Sequence, residues 1–319
     1  MKNRVFITIV LFLGMIACED KIVQHEPAVE EGFVEVTGGR VWYRIVGADK
    51  VGIPLLVLHG GPGVPHDYLQ PLELLADERP VIFYDQLGCG NSDIPDDTTL
   101  WTVDRFVEEL VAVRSELKIQ QVHLLGQSWG SMLAMEYLER ETPDGIVSLT
   151  LAGPYLSSDR WVADQNYHVS QLPQNVRDSI AKYEASGDYL ATGYQEAMMI
   201  FYQKHVCRLD PWPDCLLTAI EKIGYGVYEY MWGPSEFTLI GTLKDADVTG
   251  YLADIDLPVL YTCGEFDEAT PVTTGYYKDL TPGAEMHVFE NASHEHHLEK
   301  PDEFIQVLRN FLTKSEKAD

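Results

Sequence analysis

Residues 121–133 read QVHLLGQSWGSML, and the fold turns on how they are parsed. The run QVHLLG (121–126) is short and apolar and reads as a buried strand. SMLAMEYLER (131–140) has the pattern of a helix. Between them lies Gly126-Gln127-Ser128-Trp129-Gly130. Its glycines permit a strained turn that lifts the Ser128 hydroxyl clear of a sheet. The helix behind it aims N–H groups at the same point, where they would stabilise an oxyanion. A bare G-x-S-x-G also fits a tight turn with an incidental serine. The strand before it and the helix after it supply the context of a nucleophile elbow.

Working outward, PLLVLHG (54–60), RPVIFYD (79–85), IVSLTLAG (146–153), LPVLYTCG (257–264) and AEMHVFE (284–290) repeat the short apolar design. FVEVTG and RVWYRIVG, joined by Gly38-Gly39, read as a hairpin. Helical patterns cover 101–117 and 301–314, the second opening on Pro301. Such alternation implies a mostly parallel α/β sheet with helices on both faces. It breaks between 154 and 250, where aromatic residues and helical patterns replace buried strands. That region reads as a helical cap inserted between two strands, over their carboxyl ends. The expected organisation is a core at 32–153 and 251–319 with the cap at 154–250.

The chain has 319 residues, enough for one large catalytic domain with an insertion. Its net charge of −27 would repel phosphate backbones, so nucleic acid is not an expected partner. At the N-terminus, Lys2 and Arg4 precede the apolar run Val5–Ile16, then Ala17 and Cys18. This is a secretory signal, too short to span a membrane. Residues 1–18 resemble a bacterial lipoprotein signal, which implies lipidation of Cys18. A plain signal peptide is the alternative. Residues 19–31 read as a tether, and the expected location is the cell envelope, with a lipid anchor as the sole membrane contact. Cys207 and Cys215 flank RLDPWPD, leaving open a disulfide or two free buried thiols. Cys89 and Cys263 read as core fillers.

A serine hydroxyl needs a base, and the base needs an acid to fix its tautomer. On a sheet of this kind the order is Ser, then Asp or Glu, then His. Asp267 follows the fifth of these strands and His294 the sixth, both where they can reach Ser128. His294 is preferred within SHEHH because it comes first after its strand. His296 and His297 are expected on the exposed following segment. A metal site built from this cluster lacks a completing ligand set, so neither metal nor cofactor is expected. HGGPG (59–63) also follows a strand, and Gly61 N–H is the expected second oxyanion donor beside Trp129 N–H. His59 is expected to orient that loop.

HGGPG (59–63), YDQLGCGNS (84–92), GQSWG (126–130), GPSEF (233–237) and GEFDEATP (264–271) occur in this order. From about residue 31 to 313 the chain resembles the prolyl aminopeptidases, or proline iminopeptidases, including their archaeal tricorn-interacting members. The resemblance implies an α/β-hydrolase fold and a serine aminopeptidase acting on short peptides with a free N-terminus, preferably proline. It implies Ser128, Asp267 and His294 as the triad, and Gly61 and Trp129 as the oxyanion donors. Glu236 and Glu268 are implied as carboxylates holding the substrate's α-amine, with Glu268 pointing away from the triad. Glu265 is left as an acid that is either solvated or supports the site from behind, and Trp232 and Tyr155 as pocket walls. The rival readings are an amidase or esterase of the same fold and a non-catalytic peptide-binding lipoprotein. An epoxide hydrolase would want Asp at position 128.

Overall fold

The computed structural model describes residues 27–317, so the signal-like segment and Cys18 lie outside the described residues. β1 (Val29–Val36) and β2 (Gly39–Val46) form an antiparallel hairpin, in register from Val29↔Val46 to Val36↔Gly39. β1 starts inside the segment 19–31 that reads as a tether. Ladder pairing uses main-chain groups alone, so the exposed Glu30 and Glu31 continue an edge strand that their polarity seemed to end. β3 (Leu55–Leu58), β4 (Val81–Tyr84), β5 (Val122–Gln127), β6 (Ile146–Ala152), β7 (Val259–Gly264) and β8 (Glu285–Phe289) complete one sheet. Its order is β1-β2-β4-β3-β5-β6-β7-β8, parallel from β4 to β8.

Parallel strands need both faces covered. Leu56 and Leu58 of β3 face a core that includes Phe106 and Leu110 of α1 (Val103–Glu116) and Met132 and Leu133 of α2 (Trp129–Glu141). Leu55 and Val57 turn to the other face, packed with Leu69, Leu72, Phe304 and Leu308. This period-two split makes β3 apolar at every position.

The same sheet order locates the site. β4 lies on one side of β3 and β5 on the other, a switch of direction that opens a crevice at the carboxyl ends of β3 and β5. Leu58 pairs with Gly126, so HGGPG and GQSWG leave the sheet side by side.

Between β6 and β7 come α3 (Ser158–Ser170), α4 (Gln174–Ser186), α5 (Thr192–His205), α6 (Asp214–Glu221) and α7 (Tyr225–Met231). The ends of this helical segment are tied together. Ser158 N–H donates to Ala246 O (2.9 Å) and Val248 N–H to Leu156 O (3.0 Å). α8 (Pro271–Leu280), α9 (His296–Glu299) and α10 (Pro301–Ser315) follow. Cys207 and Cys215 are free thiols, so the disulfide their spacing left open is not formed. Both pack with the cluster containing Leu216 and Ala219 as small apolar side chains, and burial pushes the Cys207 thiol up to about 12. Cys89 and Cys263 are buried in the core.

Candidate active site

Ser128 links β5 to α2 with φ 53° and ψ −122°, a region costly for any residue but glycine. The turn survives because its neighbours have no side chains. A Cβ on Gly126 would lie 2.2 Å from Gly130 O, and one on Gly130 would lie 2.1 Å from Leu58 O. Ser128 N–H donates to Ala152 O (2.9 Å), anchoring the elbow to β6. Trp129 N–H stands at the start of α2, and its indole Nε1 donates to Gln86 Oε1 (2.9 Å).

The HGGPG loop is held by a chain of buried hydrogen bonds. His59 Nε2 accepts from Gln86 N–H (2.9 Å), so Nδ1 carries the proton and donates to Gly60 O (3.0 Å). Burial lowers His59 to about 4, which keeps it neutral and makes it a positioning group for the loop. Gly60 N–H donates to Tyr68 Oη (2.7 Å), and that hydroxyl donates to Gln127 Oε1 (2.6 Å). A Cβ on Gly60 would sit 3.1 Å from Ser128 Cβ, so the loop passes directly beside the serine at Gly60.

Asp267 is fully buried after β7. Its Oδ1 accepts from Ala269 N–H and from His294 Nδ1, both at 2.8 Å, and its Oδ2 accepts from Gly264 N–H at 3.1 Å. Burial alone would raise its carboxyl. The charge and hydrogen bond of His294, with His296 behind it, outweigh burial and hold Asp267 well below the usual carboxylate range. The His294 ring lies on Gly153, where a Cβ would come within 2.7 Å of Nδ1 and Cε1. Gly153 directly follows Ala152, whose carbonyl receives the Ser128 N–H. Ser128, Asp267 and His294 therefore converge at the carboxyl ends of β5, β6 and β7. The imidazole's side-chain partner is Asp267; no His294–Ser128 hydrogen bond is present among the described residues.

Glu268 lies in the same pocket. It is fully buried, and neither carboxylate oxygen has a hydrogen-bond partner among the described residues. Its Oε1 is 3.7 Å from His294 Nε2, which corrects the expectation that it points away from the triad. The chain bends at Glu268 and Ala269, and the two consecutive acids flank the same imidazole, Asp267 at Nδ1 and Glu268 at Nε2. Burial, then the neighbouring Glu236, push Glu268 well above the usual carboxylate range. Burial raises Glu236 as well, against the hydrogen bond its Oε1 accepts from Tyr228 Oη (2.7 Å).

Other expectations meet the structure differently. His296 and His297 are buried, not exposed, because they begin α9 beneath the site. His296 stacks on Phe289 and shares a 2.9 Å hydrogen bond with Thr262 Oγ1, and His297 donates to Tyr68 O (3.1 Å). Glu265 is exposed and accepts from Asn291 N–H (2.9 Å). Tyr155 and Trp232 are fully buried, and their polar atoms bond to Leu243 O and Ser235 O. The ring nearest His294 among this aromatic group is Trp161, at 6.0 Å between centroids. Sequence reading missed it. Its signal was helical spacing, since Trp161, Asp164, Gln165 and His168 fall on one face of α3.

Residues 53–301 match the alpha/beta hydrolase fold family. The chain is 46% identical to the proline iminopeptidase of Heyndrickxia coagulans over 285 residues, covering 88% of this chain and 98% of that protein. Among solved structures, the proline iminopeptidase of Mycobacterium smegmatis superposes with a TM-score of 0.84 at 38% identity, covering 91% of this chain and 99% of that one. The structure of VinJ superposes with a TM-score of 0.86, also at 38% identity, covering 90% and 99%.

Proposed function

This chain belongs to the proline iminopeptidases of the α/β-hydrolase fold, and on that premise we propose that it is a serine aminopeptidase releasing N-terminal proline from short peptides. The observation that carries the reading is Glu268. A fully buried carboxylate with no partner is costly unless a cationic group completes it. The free α-amine of a peptide is such a group, and Glu236 beside it supplies a second acceptor. Charge-assisted hydrogen bonds of this kind contribute about 1.5–3 kcal/mol each.

An amine held there places the first residue's carbonyl over Ser128 and no later one. Ser128 Oγ attacks that carbonyl while His294 Nε2 takes its proton. The Gly61 and Trp129 N–H groups hold the oxyanion. His294 then protonates the departing amine, and water, deprotonated by the same imidazole, releases proline from the acyl-enzyme. Asp267 keeps the His294 tautomer and orientation throughout.

The N-terminal sequence supports an exported lipoprotein anchored through Cys18, with the catalytic domain outside the cytoplasm. Among the described residues no helix is long and apolar enough to cross a membrane.

The test is cleavage of prolyl, alanyl and leucyl arylamides by protein lacking residues 1–18, beside N-blocked prolyl arylamide and Ser128→Ala. Cleavage of the free prolyl compound that depends on Ser128, with the blocked one spared, is expected. Preference for the blocked compound or an aryl ester would move the protein to the amidases or esterases.

A further inference from the structure

The helical segment over the site grips the loop that carries both acids. Three consecutive main-chain carbonyls of that loop each accept a hydrogen bond from a side chain of α3 or α5. His205 Nδ1 donates to Phe266 O (2.8 Å), His168 Nε2 to Asp267 O (3.1 Å) and Gln165 Nε2 to Glu268 O (3.0 Å). Gln165 and His168 are buried. The imidazoles of His168 and His205 face each other with centroids 3.9 Å apart, and Phe201 packs against both.

The grip is reciprocal. The last carbonyls of a helix have no partner within it, and α5 ends at His205. His205 O accepts from Glu268 N–H (3.3 Å) and His294 N–H (3.1 Å). Val206 O accepts from Glu295 N–H (2.8 Å) and the Ser293 hydroxyl (2.9 Å). One helix end therefore holds the acid loop and the base loop together. Burial lowers His168, and burial with the facing His168 lowers His205 to about 4. Both rings are neutral at pH 7, so each has a single ring N–H to give. Neither helix supplies a reacting group, and neither contact is explained by chain connectivity.

We infer that His168 and His205 are positioning residues, which clamp the acid loop to the helical segment and so set Asp267 and Glu268 against His294. The inference rests on reading Asp267 as the acid of the triad. It makes docking of the helical segment a condition for a competent base as well as a means of selecting substrate.

The test separates the N–H donor from the ring. His168→Phe and His205→Phe keep an aromatic ring and lose the donor. His168→Gln and His205→Asn keep an N–H near the original one. For prolyl arylamide the phenylalanine variants are expected to lose about tenfold to a hundredfold in kcat, the scale of a small misplacement of reacting groups. Their KM should rise as well, because Glu268 shifts with Asp267, and the amide variants should stay within about threefold of the parent in both constants. Phenylalanine variants with parental kcat, or amide variants as impaired as they are, would overturn the inference. If the phenylalanine variants do not fold, nitrogen-15 spectra of the unaltered protein decide. Neutral His168 protonated on Nε2 and neutral His205 protonated on Nδ1 are expected, and any other state overturns the clamp. An unaltered protein that leaves prolyl arylamide uncleaved would instead sink the functional reading.

Discussion

Glu268 Oε1 stands 3.7 Å from Nε2 of His294, the ring whose Nδ1 is 2.8 Å from Asp267. One imidazole thus has a carboxylate at each nitrogen. Burial opposes charge on the ring, but Asp267 and Glu268 outweigh it and raise His294 to about 10. A base in that state holds its proton. An ammonium group bound by Glu268 would offset the second carboxylate and release Nε2 for Ser128.

Replacing Glu268 by Gln should therefore act in opposite directions on two substrates. Cleavage of free prolyl arylamide should fall about tenfold or more, the scale of one lost charge-assisted contact. An aryl ester with no amine should be cleaved faster at pH 7. The neighbouring imidazolium favours the ionised form of Glu268 against burial and Glu236, and without that carboxylate the imidazolium is less stabilised, so the acid limb of the ester's pH–rate profile should move to lower pH. An unmoved limb would show that Glu268 does not act on the base.

Gly153 has φ 52°, and an added Cβ would meet the His294 ring at 2.7 Å. Gly153→Ala should displace that ring and lower kcat by about a hundredfold, as misplaced reacting groups do. Binding of a prolyl product analogue should change much less, because Gly153 meets the ring at Nδ1 and Cε1 whereas Glu268 approaches it at Nε2. Steady-state kinetics with an equilibrium binding titration would show the split.

His59 keeps the buried Gln86 N–H satisfied. His59→Leu should leave that donor buried without a partner and cost about 1–3 kcal/mol of stability. Activity should fall through the HGGPG loop while the pKa of the acid limb stays in place, since His59 is neutral across the working range. A thermal melt and a pH–rate profile together check this.

His59 and His205 are lowered to about 4 and His297 to about 3, all chiefly by burial. Between pH 6.5 and about 4 the unfolded chain binds protons that these rings in the native state refuse. The stability these three rings contribute should consequently fall as pH drops through that window, opposed there by the buried Glu236, Glu268 and Glu295, whose carboxyls are raised. His294 works at the other end. Its raised value contributes stability below pH 6.5 that is lost as pH rises toward 10. Denaturant unfolding of the parent and of His59→Leu at a series of pH values isolates one such ring, and the gap between the two should narrow as pH drops from 6.5 to about 4.

The local parts of this protein were legible in its sequence. Short apolar runs specified β3, β4, β5 and β7 as strands buried throughout, while β8 lies half exposed at the sheet edge, and Gly126 and Gly130 around Ser128 specified the elbow. These signals are local, because periodicity and the steric demands of a turn act within a few residues. The order of Asp267 and His294 after their strands was legible for the same reason. The environment of each titratable group was not. His296 and His297 looked like surface residues and are buried; Glu268 looked set apart and faces the base; Cys207 and Cys215 looked pairable and are separate fillers. α3 and α5 lie some 60 to 100 residues from Phe266, Asp267 and Glu268 in sequence, and only packing brings their donors onto those carbonyls. Burial and hydrogen-bond partnership are properties of the assembled neighbourhood, and they decide here which acids are charged, which histidines are neutral and where the base points.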